Sequence, residues 1–300
     1  MNKILITGSK GLIGATLIEE LEKNSIKTVG FDIRNKSNLP QNIYYYNSLD
    51  RLESDYDGII HLAGTSRVVW GQINPALCRL NNVLGTKNVI KKALSQTKKP
   101  WIIFASSREV YGQQETLPVV EEAQKQPMNV YAKSKCLAEN LIIDARNHGL
   151  KTTIVRFSNV FGGLNDHADR VIPAFCIAAL KNQKLKLEGE NNIFDFTYIK
   201  DVIEGLKAVI KVLIENPQNL PAIHFVNNRG ISLKEAAHII TKAANGGDLY
   251  SASPRSYDVS RFYGSNKKAR QQLNWSPTHT FEEAINLFLS DLKASNQVLG

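Results

Sequence analysis

The chain has 300 residues, of which 43% are hydrophobic, and a formal net charge of +9 at pH 7. It is long enough to bury one large core, but no apolar run reaches the length of a membrane span, and its basic residues do not cluster beside aromatic ones as in nucleic-acid binders. The three cysteines lie far apart without metal-ligand spacing, so we predict reduced thiols and no metal site. The first residues lead directly into a strand-like segment, so we expect no signal peptide and a cytoplasmic protein.

The first half of the chain alternates β-rich apolar segments with amphipathic ones. The expected buried strands are Lys3–Thr7, Lys27–Phe31, Gly58–Leu62, Trp101–Ala105 and Thr152–Phe157. The expected helices between them are Leu12–Lys23, Asn74–Gln96 and Met128–His148, the last closed by Gly149. This alternation predicts right-handed βαβ units, and therefore an α/β fold with a Rossmann-type doubly wound parallel sheet.

The pattern changes after residue 160. Ile223–Val226 predicts one more strand, and capping boxes at Ser232–Glu235 and Thr280–Glu283 predict two helix starts. We therefore expect a dinucleotide-binding Rossmann domain over residues 1–160, completed by about residues 195–228. A smaller mixed α/β substrate lobe, residues 161–194 and 229–300, is expected over the sheet edge where such folds bind ligands.

A glycine-rich turn follows the first predicted strand and opens the first helix. Gly8, Gly11 and Gly14 have the spacing that allows a tight turn, close approach of a pyrophosphate and close helix packing. Asp32 ends the next strand about 20 residues later, where a carboxylate can accept hydrogen bonds from ribose hydroxyls. It favours NAD because it would repel a 2′-phosphate, whereas Lys10 and Arg34 would pair with that phosphate, so NADP is the alternative.

Tyr131 and Lys135 lie four residues apart on one predicted helix, and therefore on the same helix face. An ammonium beside a phenol stabilises the phenolate, so the pair predicts a phenol that exchanges protons well below its ordinary pKa of about 10. Together with the glycine turn, this pair predicts a redox active site.

With these motifs in order, the chain resembles the extended short-chain dehydrogenase/reductase family, and within it the NAD-dependent sugar-nucleotide epimerases and dehydratases of the UDP-glucose 4-epimerase type. The resemblance covers nearly the whole chain. Its further segments are residues 57–64 (DGIIHLAG), 82–86 (NVLGT), 104–112 (FASSREVYG), 156–162 (RFSNVFG), 195–201 (DFTYIKD) and 255–258.

The resemblance implies roles for individual residues. Tyr131 would exchange a proton with a sugar hydroxyl or ketone, Lys135 would hold the nicotinamide ribose, and Ser107 would position the reacting oxygen. The implied substrate-binding residues are Ser107, Glu109, Asn159 and Arg255. The predicted cofactor-binding residues are Gly8, Gly11, Leu12, Ile13, Gly14, Asp32, Ile33, Arg34, Asn47, Ser48, Leu62, Ala63, Gly64, Asn82, Tyr131, Lys135 and Ser158.

Two departures from the family pattern concern the substrate. The 4,6-dehydratases carry Asp-Glu after the catalytic Ser or Thr, whereas this chain has Arg108-Glu109, which disfavours dehydration. Glu109 is left either as a base or as an ion-pair partner of Arg108 or Arg156. Phe194 stands where members often carry an arginine that binds the substrate diphosphate. Either another basic residue compensates, with Arg170 and Lys200 as candidates, or the substrate is not a conventional nucleoside diphosphate sugar.

These observations leave several functions open. The first hypothesis is 4-epimerisation of a nucleotide sugar through a transient 4-keto intermediate. An NADPH-dependent 4-keto-sugar reductase would use the same residues, a 4,6-dehydratase is disfavoured, and a non-catalytic dinucleotide sensor would not need them. The resemblance also implies a homodimer through Asn74–Gln96 and Met128–His148, with neither nucleic acid nor membrane as a partner.

Overall fold

The structure, a computed structural model, describes residues 3–34, 52 and 55–295. Its strands are β1 (Lys3–Thr7), β2 (Lys27–Phe31), β3 (Gly58–His61), β4 (Trp101–Ser107), β5 (Thr152–Phe157), β6 (Asn159–Phe161), β7 (Leu185–Glu188), β8 (Ile193–Phe194), β9 (Phe196–Tyr198), β10 (Ile223–Phe225), β11 (Ile231–Ser232) and β12 (Leu249–Ala252).

The helices lie between these strands. They are α1 (Leu12–Lys23), α2 (Val68–Ile73), α3 (Pro75–Arg79), α4 (Gly85–Leu94), α5 (Val130–Asp144), α6 (Val171–Leu180), α7 (Ile199–Glu215), α8 (Leu233–Ala244), α9 (Lys267–Leu273) and α10 (Phe281–Ala294). A π-helical turn, Leu80–Leu84, joins α3 to α4, and a 3₁₀ turn, Ala145–His148, follows α5.

Strands β1 to β5 and β10 form a parallel sheet in the order β10-β5-β4-β3-β1-β2. The chain first adds β2 on one side of β1 and then returns to add β3, β4, β5 and β10 on the other. This reversal at β1 makes the sheet doubly wound, and the crevice beside it is where such folds bind ligands. The predicted α/β Rossmann-type fold is confirmed.

Helices cover both faces of this sheet. Ile4 and Ile6 of β1 belong to one buried cluster, which also holds Leu17 of α1 and Leu206 of α7. Leu5, between them, points to the opposite face and belongs to a second cluster with residues of α4 and α5. Because side chains alternate along a strand, a strand covered on both faces is apolar at consecutive positions, as β1 is at Ile4, Leu5 and Ile6.

Most predicted elements near the sheet begin and end within a few residues of the observed ones. The predicted helix Asn74–Gln96 is interrupted by the π-helical turn, and the short helix α2 before it was not predicted. Asn74 caps α3 by accepting a hydrogen bond from the backbone N–H of Leu77 at 2.9 Å. Gly149 ends the segment after α5 with a φ of 85°, the left-handed conformation that was expected.

The second half of the chain contains short paired strands: β11 with β8, β12 with β7 and β6 with β9. The capping box at Thr280 forms completely, whereas at Ser232 only the serine side chain caps its helix, because the Glu235 carboxylate pairs with Arg229 at 3.1 Å. The division into a Rossmann domain and a substrate lobe stays a prediction. Within the described residues no helix is both long and apolar enough to cross a membrane, and the cytoplasmic location stays a prediction.

Candidate active site

A cavity of about 1370 Å³ lies at the carboxyl ends of β1, β3, β4 and β5. It brings together nearly all the described residues that the sequence predicted for cofactor or substrate binding. These are Gly8, Gly11, Leu12, Ile13, Gly14, Asp32, Ile33, Arg34, Leu62, Ala63, Gly64, Ser107, Glu109, Tyr131, Lys135, Ser158, Asn159 and Arg255. Asn47 and Ser48 lie outside the described residues.

The glycine turn forms one end of the cavity, and two of its residues have no room for a side chain. A Cβ on Gly14 would lie 2.3 Å from the carbonyl oxygen of Gly8, and a Cβ on Gly8 would lie 2.8 Å from the backbone nitrogen of Ala63. Gly8 also has a φ of 73°, which glycine adopts without strain. The turn therefore presents bare backbone at the start of α1, where unpaired N–H groups and the helix dipole attract a phosphate. This cradle fits the pyrophosphate of NAD.

Asp32 lies beside this turn, with its carboxylate occupied by neighbouring groups. It accepts hydrogen bonds from the backbone N–H of Lys10 at 2.9 Å and from Arg34 Nε and Nη2 at 3.0 and 2.9 Å. Burial would raise the pKa of Asp32, but the Arg34 guanidinium and the backbone N–H donors hold that pKa below its usual value. Arg34 therefore covers the carboxylate that was predicted to bind the ribose.

Asn82 is the described exception among the predicted cofactor residues, because it does not line the cavity. Its side chain accepts a hydrogen bond from the backbone N–H of Thr65 at 2.7 Å and donates to Ser134 Oγ at 2.8 Å. These bonds fix the turn after β3 to helix α5. These bonds give Asn82 a positioning role, and its predicted contact with the cofactor stays a prediction.

Ser107, Tyr131 and Lys135 lie together in the wall of the cavity, at the end of β4 and the start of α5. All three side chains are buried. Lys135 Nζ donates to the carbonyl oxygen of Ala105 at 2.7 Å and lies 5.9 Å from the centre of the Tyr131 ring. The serine, phenol and ammonium predicted to act together therefore do share one site.

The protein alone does not lower the pKa of the phenol as the sequence predicted. Burial raises the pKa of Tyr131 to about 12, although a hydrogen bond with Ser107 opposes the increase. Burial also lowers the pKa of Lys135 to about 8. Removing a charged group from water disfavours its charged form, and for both groups burial is the largest cause of the pKa shift. A further positive charge at this site would be needed to make Tyr131 acidic.

Arg108 and Glu109 form an ion pair directly after Ser107, with 2.8 Å between Arg108 Nη2 and Glu109 Oε1. The other carboxylate oxygen of Glu109 accepts a hydrogen bond from Asn129 Nδ2 at 3.0 Å. Asn129 in turn caps α5 by accepting from the Ala132 N–H at 2.8 Å. The sequence left Arg108 and Arg156 as possible ion-pair partners of Glu109. In the structure Glu109 pairs with Arg108, because Arg156 pairs with Glu139.

Two groups of residues at the cavity were not predicted. His61 bonds Thr7 Oγ1 at 2.7 Å and Thr86 Oγ1 at 3.1 Å, which ties β1 and β3 to α4. At the mouth, Arg67 pairs with Asp169. Both groups join segments that are distant in sequence, so no local spacing signals them. No group of three or more metal-ligating side chains occurs within the described part of the chain.

Comparison with known proteins identifies the family. The sequence model of the NAD dependent epimerase/dehydratase family matches residues 4–220. A protein of Methanocaldococcus jannaschii provisionally named a UDP-glucose 4-epimerase is 30% identical, over 98% of this chain and 99% of that one. UDP-glucuronic acid decarboxylase 1 of Xenopus tropicalis is 27% identical, over 95% of this chain and 70% of that one.

We also compared the structure with solved structures. The crystal structure of UDP-glucose 4-epimerase from Thermotoga maritima with UDP-glucose superposes with a TM-score of 0.88, covering 98% of this chain and all of that one at 22% identity. At that identity the likeness shows the fold, while the family match covers well over half of the sequence. The chain therefore belongs to the NAD-dependent epimerase/dehydratase family, and is an NAD-dependent enzyme.

Proposed function

We propose that this enzyme is a nucleotide-sugar 4-epimerase that works through a transient 4-keto intermediate. The observation that carries the proposal is the placement of Ser107, Tyr131 and Lys135 in one cavity wall with the glycine cradle. The relative from M. jannaschii supports the same reaction, because it is named as an epimerase and its alignment with this chain covers nearly the full length of both.

In this mechanism Tyr131 takes the proton of the sugar C4 hydroxyl and returns a proton to the 4-keto oxygen after the sugar has presented its other face. Ser107 hydrogen-bonds the same oxygen and holds it near the phenol. NAD, when bound, supplies hydride acceptance and return, and its positively charged nicotinamide lowers the pKa of a nearby phenol. Lys135, fixed by Ala105, would bind the nicotinamide ribose.

A uronic-acid nucleotide is the second candidate substrate, favoured by the relative from X. tropicalis. Oxidation at C4 of such a sugar makes a β-keto acid, which can lose its carboxylate as CO₂ without a further catalytic group. The same proton-handling residues would therefore serve epimerisation or decarboxylation, and the products separate the two.

The test incubates the purified protein with NAD and either UDP-glucose or UDP-glucuronate and identifies the products by NMR. Epimerisation predicts UDP-galactose or UDP-galacturonate, with no net reduction of NAD. Decarboxylation predicts a UDP-pentose and one CO₂ for each molecule consumed. A parallel reaction with NADPH and a 4-keto-sugar nucleotide tests the reductase alternative. If neither UDP-sugar reacts and the keto sugar is reduced, the epimerase proposal is wrong.

We also propose that two copies of the chain associate through the helices around α4 and α5. Leu137 and Ile143 support this, because both lie on α5, do not line the ligand cavity and are each 45% exposed. Exposed apolar side chains on a helix lose contact with water when a second copy covers them. Light scattering should give twice the mass of the chain for the wild type. Leu137→Glu with Ile143→Glu should shift the mass toward that of the monomer, and a monomeric wild type would contradict the proposal.

A further inference from the structure

Arg108 occupies an unusual place in the cavity wall. It follows Ser107 directly and lines the cavity, although only 7% of its surface is exposed. Its Cζ lies 4.9 Å from the centre of the Phe194 ring and 5.4 Å from that of the Phe262 ring. These aromatic contacts hold the planar guanidinium in one orientation, which reduces the entropy lost when it binds a ligand.

The protein does not supply hydrogen-bond acceptors for all the donors of the Arg108 guanidinium. Nη2 pairs with Glu109, but Nη1 is buried without a hydrogen-bond partner among the described residues. The neighbouring aromatic rings offer no acceptor atom. A buried donor left unpaired is costly, and a guanidinium has donors but no acceptor. Such an arginine in a ligand cavity is suited to an acceptor that a bound molecule brings.

Other basic side chains at this end of the cavity differ from Arg108. Arg255 pairs with Asp258 at 2.8 Å, Lys186 with Glu188 at 2.7 Å and Arg170 with Asp166 at 3.0 Å. Their side chains are 29% to 52% exposed, so water can satisfy the remaining donors. Lys200, one of the two replacements suggested for the missing diphosphate arginine, does not line the cavity.

We propose that the Arg108 guanidinium binds an anionic oxygen of the substrate, and so takes the place of the arginine that family members carry where this chain has Phe194. The aromatic ring at position 194 then supports the arginine from a different segment. The anionic oxygen belongs either to the diphosphate or to a carboxylate on the sugar. Charged, in-plane hydrogen bonds from arginine suit both groups. This inference rests on the proposed nucleotide-sugar substrate.

The test measures binding of UDP, UDP-glucose and UDP-glucuronate to the NAD-bound protein by calorimetry. Arg108→Met removes the charge at similar length and should weaken binding of at least one ligand by about tenfold or more. Arg108→Lys keeps a positive charge beside Glu109 but loses the planar fork, so we expect a smaller loss. Lys207→Met is the matched control, because it removes a cation of α7 that pairs with Glu204 at 2.8 Å and does not line the cavity. It should change affinity less than about twofold. NAD affinity and the melting temperature report whether each variant is folded.

The pattern of losses identifies the ligand group. Weaker binding of all three ligands would show that Arg108 binds the diphosphate. Weaker binding of UDP-glucuronate alone would show that it binds the sugar carboxylate. Folded Arg108 variants that bind all three ligands as the wild type does would overturn the inference while leaving the proposed function intact. If Arg108→Met does not fold, Arg108→Lys decides by the same comparison. A wild type that binds none of the three overturns the proposed function and this inference with it.

Discussion

The two ends of the cavity are built in different ways. At the cofactor end, the site is made of backbone: Gly8 and Gly14 leave no room for side chains, and the start of α1 presents its N–H groups. At the substrate end it is made of side chains, with Arg108 held by Glu109 and Phe194. The first arrangement suits the pyrophosphate of any dinucleotide, whereas the second can change from one family member to the next without disturbing the sheet.

The largest effect that we predict lies where the two ends meet. Tyr131→Phe removes the group that exchanges a proton with the sugar but keeps the ring that packs in the wall. Turnover should fall by at least about a hundredfold while the dissociation constant for NAD stays nearly unchanged. Steady-state kinetics and NAD titration measure the two quantities. Tyr250→Phe, on exposed β12, is the control and should keep wild-type turnover.

Near-normal turnover of Tyr131→Phe with the correct substrate would contradict the mechanism. A parallel loss of NAD affinity would mean that the phenol contributes to cofactor binding as well as to the reaction. The cofactor and substrate ends of the cavity would then not be separate.

The cofactor end should be the less tolerant of added atoms. Gly14→Ala places a methyl group 2.3 Å from the Gly8 carbonyl oxygen, so the turn must open or the helix must shift. We expect a loss of about 2 kcal/mol in the free energy of unfolding together with weaker NAD binding. Gly85→Ala is the matched control: a Cβ there meets nothing closer than 3.9 Å, and alanine favours a helix, so stability should be kept or slightly increased. Denaturant unfolding compares the two, and equal stabilities would refute the steric argument.

The same contrast explains which features the sequence could predict. Strand and helix positions follow from hydrophobic periodicity, and the glycine turn follows from local spacing, so both were predicted closely. Arg108 was noticed only as a departure from a pattern, because its contacts with Phe194 and Phe262 depend on how distant segments pack. The direction of the pKa shift of Tyr131 was predicted wrongly, since the spacing from Lys135 indicates proximity but not burial.

Asp32 and Arg34 offer a smaller test, of cofactor choice. Asp32→Ala should weaken NAD binding about tenfold and NADP binding less, because the carboxylate favours ribose hydroxyls and repels a 2′-phosphate. Arg34→Ala should do the opposite: it frees the Asp32 carboxylate from a guanidinium at 2.9 Å, so NAD binding should be kept or improved while NADP binding weakens. Fluorescence titration of both cofactors measures the ratio. Equal losses of NAD and NADP in Asp32→Ala would remove Asp32 as the ribose ligand.

The smallest predicted effect is a dependence of stability on pH that comes from buried histidines. Burial lowers the pKa of His61 and of His224 to about 3, compared with about 6.5 in an unfolded chain. Between these values the unfolded state binds more protons, so stability falls as the pH falls below about 6.5 and is restored above it. From pH 7.5 to pH 6, each histidine should cost about 1 kcal/mol of unfolding free energy.

His61→Gln should therefore reduce the difference in unfolding free energy between pH 7.5 and pH 6 by the contribution of one histidine. Urea unfolding at the two pH values measures this difference. His238→Gln, at an exposed position of α8, is the control and should leave the wild-type slope. Because His61 ties β1 and β3 to α4 through Thr7 and Thr86, its loss should lower stability at both pH values. Only the difference between the two pH values tests the titration. An unchanged difference in His61→Gln would show that His61 does not contribute to the acid sensitivity of the sheet edge that supports the cofactor.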